Sequence, residues 1–114
     1  MRTKLLTGIV LGLVCTVACA QSYPSRSIRM VVGFTPGGAA DFVARTLQEP
    51  LSRALGQPIV VDNRPGAGSS IAAEHVAKSA PDGYTLLIAS PSSILVNPLL
   101  TPKNPFQPRM FASS

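Results

Sequence analysis

The stretch FTPGGAADFVAR, Phe34–Arg45, joins two segments of different character. Before it stands IRMVVGF, a short, branched and apolar run of the kind a buried parallel strand carries. After it, apolar residues recur at Val43, Leu47, Leu51 and Leu55, one face of a helix. The junction is therefore a tight strand-to-helix turn, and Pro36, Gly37 and Gly38 leave its backbone nearly bare. Exposed N–H groups at a helix start attract anions. A turn that simply needs positive φ angles would also use glycine, so this loop alone does not choose between a structural and a binding role.

The rest of the chain repeats the arrangement. A strand over Ile28 to Phe34 and a helix over Ala40 to Leu55 are followed by Gly56, a natural helix stop, and by IVVDN, a second strand. Pro50 falls inside the helix, and the apolar stripe continues past it, which predicts a bend rather than an end. RPGAGSS then opens a second helix near Ile71, with Ser69 or Ser70 placed to cap it. PDGYT is a turn signal, YTLLIAS reads as a third strand, and SPSSILVNP as another polar loop. The order β-α-β-α-β predicts an α/β fold with a parallel sheet, incomplete as it stands. Its three strand exits, Phe34–Asp41, Arg64–Ser70 and Ser90–Ser93, would gather at the carboxyl edge, where open α/β sheets bind ligands. An unpaired apolar strand left at the edge of such a sheet would invite aggregation.

Residues 1–20, MRTKLLTGIVLGLVCTVACA, have the charged, apolar and small-residue order of a signal peptide, with cleavage expected after Ala20. A lipid anchor at Cys19 and a buried N-terminal helix are the alternatives, and TVAC fits a lipobox poorly. Both cysteines of the chain lie in this leader, so residues 21–114 can form neither a disulfide framework nor a cysteine-based metal site. Loss of Arg2 and Lys4 with the leader lowers the formal net charge from +5 to +3. The remaining charges are scattered singly and give no basic stripe for nucleic acid. The tail NPLLTPKNPFQPRMFASS is rich in proline and carries no further periodic element, which marks residues 21–114 as the opening of something longer.

No catalytic set stands out. GAG at Gly66–Gly68 is not a dinucleotide fingerprint, because Ile71 stands where GxGxxG needs glycine. Neither glycine loop is followed by the lysine of a P-loop. Ser69, Ser92 and Ser93 lack a nucleophile elbow. His75, the sole histidine, has no metal-ligand spacing around it. Asp41 suits the first turn of a helix, or could accept a hydrogen bond from a ligand or water. Arg64 could hold a carboxylate, pair with Asp62 or face solvent. These residues describe a binder. The alternative is a fragment of an α/β enzyme domain whose glycine loops hold a phosphate-bearing cofactor.

From Tyr23 to about Pro98 the sequence resembles the substrate-binding receptors of tripartite tricarboxylate transporters, the Bug family of periplasmic proteins. The resemblance rests on PGGAAD with its following AR, on GQPIVVDNRPGAG and on VAKSAPDGYTLL. It implies that residues 21–114 begin the first lobe of a two-lobed binding protein, a monomer when full length. Such a receptor captures a small carboxylate in the periplasm and delivers it to the membrane subunits of its transporter, with no catalytic residue, metal or cofactor. By matching position, Phe34, Thr35, Gly37, Gly38 and Asp41 form the first ligand loop. Ala67, Gly68 and Ser69 belong to the second, and Ser92 and Ser93 to a third. Ser69 and Ala72 stand where glycine is common in the family, which would narrow the pocket or add a hydroxyl donor.

Overall fold

A computed structural model of the chain describes residues 22–100. The expected leader and the proline-rich tail beyond Leu100 lie outside the described residues. The elements are β1 (Ile28–Val32), α1 (Ala39–Leu55), β2 (Ile59–Asn63), a 3-10 turn (Ala67–Ser69), α2 (Ser70–Ala77) and β3 (Thr85–Ile88). A π-helical segment (Ser92–Val96) and a short α3 (Asn97–Leu100) follow. All strand pairs are parallel and the order is β2-β1-β3, so the first strand in sequence is the central one. This is the parallel α/β unit read from the sequence.

Strand alternation sorts the core onto two faces. Ile28, Met30, Val32 and Ile59 pack under α1 with Ala44, joined by Ala40, Leu51, Leu55 and Val61 at the margins. Val31 points the other way, toward the side where α2 packs on β1 and β3 and buries Ala72 and Ala73. The expected helix stripe needs correction. Ala44 is the fully buried residue of α1, whereas Val43 and Leu47 stay 47% and 41% exposed. Small alanine side chains let the helix lie close to the sheet, and Val43 and Leu47 stay outside the cluster that Ala44, Ala40, Leu51 and Leu55 join.

The helix runs through Pro50 without an end and stops at Gly56, whose φ of 70° and N–H bond to the Ser52 carbonyl close it in the left-handed conformation. The segment expected as a polar loop after β3 is helical instead. Ser93 is fully buried, and its hydroxyl donates to the Ser90 carbonyl at 2.8 Å, which starts a turn that Ile94 and the residues after it continue.

The lead-in to β1 is stapled to the turn before β3. The Tyr23 hydroxyl donates to the Gly83 carbonyl at 2.6 Å, and the Ser25 amide donates to the Tyr84 hydroxyl at 2.9 Å. Arg26 pairs with Asp82 at 2.9 Å, and its guanidinium lies 4.2 Å from the centre of the Tyr84 ring. Tyr23 meets the same ring edge-on at 5.1 Å. The hydrogen-bonded partners are 56 to 60 residues apart in sequence.

Candidate functional site

The parallel order puts the three strand exits at one sheet edge, and specific contacts tie them together. In the first loop Asp41 is the hub. The residue is 3% exposed, and its Oδ2 accepts from the Gly37 N–H and from Arg45 Nε, both at 2.9 Å. Its Oδ1 accepts from Asn63 Nδ2 at 3.0 Å, and the same amide reaches the Phe34 carbonyl at 3.2 Å. Asp41 therefore clamps the glycine turn from within the helix and links it to the end of β2. The N–H groups of Ala39, Ala40 and Asp41 have no acceptor among the described residues, and they open the N-terminus of a 17-residue helix.

The hydrogen bond from Arg45, then those from the Gly37 amide and Asn63, hold the Asp41 pKa down from 3.8 to about 2, against the opposing effect of burial. The sign follows. Unfolded Asp41 takes up its proton more readily than folded Asp41, so its contribution to stability is complete above about pH 3.8. It is lost as pH falls toward about 2. Melting temperatures measured across that window are expected to fall more steeply for the native chain than for Asp41→Asn. Parallel curves would mean that the carboxylate contributes nothing as an anion.

The second loop is built from unusual backbone. Gly66, Ala67, Gly68 and Ser69 have φ of 133°, 48°, 60° and 72°, so two residues with a Cβ sit in the left-handed region. Ser69 is 1% exposed, and its hydroxyl has no hydrogen-bond partner. It does not cap α2 through its side chain, contrary to the sequence expectation, and neither does Ser70. The hydroxyl fills the notch beside Gly33 instead: a Cβ on Gly33 would fall 1.7 Å from Ser69 Oγ. The third segment closes on the second, because Asn97 Nδ2 donates to the Gly68 carbonyl at 2.9 Å and also lies 3.3 Å from Ser70 Oγ.

Of the residues singled out from sequence, Thr35, Gly37, Ala67, Gly68 and Ser92 are exposed. Phe34 and Gly38 are half-buried, and Asp41, Ser69 and Ser93 are buried. Arg64 is paired with Asp62 at 3.0 Å rather than free, and His75 sits half-buried on α2. Four contributors were missed: Gly33, Arg45, Asn63 and Asn97. Arg45 stands one turn after Asp41 and Asn63 ends a strand at the loop edge, so both carried a positional signal. Gly33 and Asn97 act through contacts that no local pattern announces. Two hollows of about 240 Å³ lie away from these loops. One is at the opposite sheet edge, between Arg26, Arg29, Val60 and Tyr84, and the other beside α1.

Loops gathered at the carboxyl edge of a parallel sheet, beside free amides at a helix start, are the position at which open α/β sheets bind ligands. Residues 43–111 match the family model described as the tripartite tricarboxylate transporter family receptor, and the chain belongs to that family. It is 50% identical over 105 residues to a UPF0065 protein of Bordetella bronchiseptica, which covers 92% of this chain. Among solved structures, a periplasmic transporter is 49% identical with a TM-score of 0.73 over 76% of this chain. Malate-bound MatC from Rhodopseudomonas palustris is 40% identical with a TM-score of 0.71 over 75%. The chain spans 31% of the Bordetella relative and 29% of each of these two solved chains.

Proposed function

We propose that this chain is the opening part of a periplasmic solute receptor that captures a small carboxylate for a tripartite uptake transporter. Residues 1–20 serve as its signal peptide, with Cys19 lipidation the lesser alternative, and residues 21–114 begin the first lobe. The observation that carries the reading is the meeting of three strand-exit loops beside unpaired helix amides in a chain of this receptor family. The ligand carboxylate lies against Phe34, Thr35, Gly37, Gly38 and Asp41 of the first loop, Ala67, Gly68 and Ser69 of the second, and Ser92 and Ser93 of the third. Because both Asp41 oxygens are engaged by protein donors, its part is to shape the loop, and backbone N–H groups meet the ligand anion. Membership of a receptor family weighs against an enzyme domain with a phosphate-bearing cofactor, and we read the protein as non-enzymatic.

The three loops supply one wall of a site, and a small ligand is enclosed over most of its surface only when an opposing wall is present. The test therefore uses the complete receptor that carries this segment, a monomer that hands its ligand to the membrane subunits. Calorimetric titration with malate and other small dicarboxylates is expected to show saturable binding, with the corresponding diamides inert. A Cβ on Gly38 would meet only the Thr35 carbonyl, at 3.4 Å. Gly38→Val is accordingly expected to leave stability within about 0.5 kcal/mol. It should weaken the acid at least about tenfold, roughly 1.4 kcal/mol. Unfolding with no separate effect on binding would return the glycine pair to a purely structural role.

A further inference from the structure

The second loop is fastened by a side chain from beyond β3. Asn97 Nδ2 lies 2.9 Å from the Gly68 carbonyl, 3.4 Å from the Ala67 carbonyl and 3.3 Å from Ser70 Oγ. A carboxamide nitrogen carries two hydrogens and only donates, so it suits a cluster of oxygens. The contact gives Gly68 a second reason to be glycine. A Cβ there would fall 2.6 Å from Asn97 Nδ2, so the bare Cα makes room for the amide as well as permitting a φ of 60°.

Asn97 is itself held from behind. Ser93 is fully buried, and the turn around it is π-helical, with the Asn97 N–H donating to the Ser92 carbonyl five residues back. The φ and ψ of Asn97, −60° and −43°, are helical although Pro98 follows, a placement that the proline ring disfavours. Local sequence therefore does not select this conformation. The buried serine on one side and the fastened loop on the other do.

The fastening also sorts the polarity of the loop. The Gly66 carbonyl accepts from the Ser69 N–H at 3.0 Å, the Ala67 carbonyl from the Ser70 N–H, and the Gly68 carbonyl from Asn97. All three acceptors are thus engaged by protein donors. The N–H groups of Gly66, Ala67 and Gly68 donate to none of the described residues, and these three residues are exposed. Successive free N–H groups favour an anion, whereas a free carbonyl among them would repel it. We propose that Asn97 is the positioning residue of the second ligand loop: it engages the Ala67 and Gly68 carbonyls so that N–H groups alone meet the carboxylate. The inference rests on the carboxylate reading given above and assigns Asn97 no contact with the ligand itself.

Three variants of the complete receptor separate a donor from a spacer. Asn97→Asp keeps the shape and removes both hydrogens, Asn97→Leu replaces the amide by an apolar group of similar volume, and Asn97→Gln keeps the amide on a longer stem. Without ligand, amide hydrogen exchange at Ser69 and Ser70 is expected to quicken at least about tenfold in Asn97→Asp and Asn97→Leu, and to stay near the native rate in Asn97→Gln. Malate affinity, measured by calorimetry, should fall at least about tenfold in the first two and recover most of that loss in the third. Native exchange rates in Asn97→Asp would overturn the proposal. So would native affinity in a folded Asn97→Asp receptor whose loop exchanges faster, or equal losses in all three variants, since shape rather than donation would then govern. A native receptor that binds no dicarboxylate would overturn the carboxylate reading, while the exchange rates would still decide whether Asn97 holds the loop.

Discussion

Gly33→Ala is expected to destabilise the protein by about 1–3 kcal/mol, the usual range for forcing extra volume into a packed site. The added Cβ would overlap Ser69 Oγ at 1.7 Å and Ser69 Cβ at 2.5 Å. Neither neighbour can withdraw easily. Ser69 is 1% exposed and its backbone is held at φ 72° by the turn that precedes α2. The companion change makes the prediction specific. Ser69→Gly removes the clashing atoms, relieves a left-handed conformation that costs a residue with a Cβ roughly 1–2 kcal/mol, and deletes a buried hydroxyl that has no partner. Introduced with Gly33→Ala, it should restore most of the loss, with a coupling between the two sites of about 1–3 kcal/mol. Additive effects in denaturant unfolding would show that the two loops do not meet as described.

The second large effect is expected at Asp41. Asp41→Ala leaves the Gly37 amide, the Asn63 amide and the Arg45 guanidinium without their common acceptor. The melting temperature should fall by several degrees, and the glycine turn should become the first site of limited proteolysis. In the complete receptor, dicarboxylate affinity should drop by about tenfold or more, roughly 1.4 kcal/mol, even under conditions where the variant is fully folded. Asp41→Asn should recover part of the stability, since its carbonyl oxygen can still accept the bonds from the Gly37 amide and Arg45 that converge on Oδ2. Unaltered binding in a folded Asp41→Ala protein would show that the geometry of the first loop does not matter to the ligand.

Much of the architecture was legible because it is local. The pattern places β2 at Ile59–Asn63, where it forms, and β1 and α1 differ from their expected spans only at the ends. The two glycine turns announced themselves through residues that few other backbones need. Burial within α1 was less legible. Hydrophobicity favoured Val43 and Leu47, but the distance between helix and sheet selected Ala44, and that distance is a property of the packed pair. The segment after β3 was misread because Ser and Pro signal a loop, whereas the Ser90–Ser93 hydrogen bonds and burial of Ser93 turn it into a helix. The buried Ser69 hydroxyl was equally hidden, since its place is dictated by what is missing at Gly33, far away in sequence.

The staple between Tyr23–Arg26 and Asp82–Tyr84 bears on how the unit is made. The central strand is synthesised first, yet its register partners lie 31 positions later at Ile59, paired with Ile28, and 56 later at Thr85, paired with Arg29. No strand can zip onto a neighbour through a short hairpin. Such distant pairing requires loop closure before any contact rewards it, which slows folding. A chain threaded N-terminus first through a translocation pore would thus emerge with its leading segment still uncommitted. In a chain so exported, that segment would become fixed only once Tyr84 had cleared the pore and could receive it.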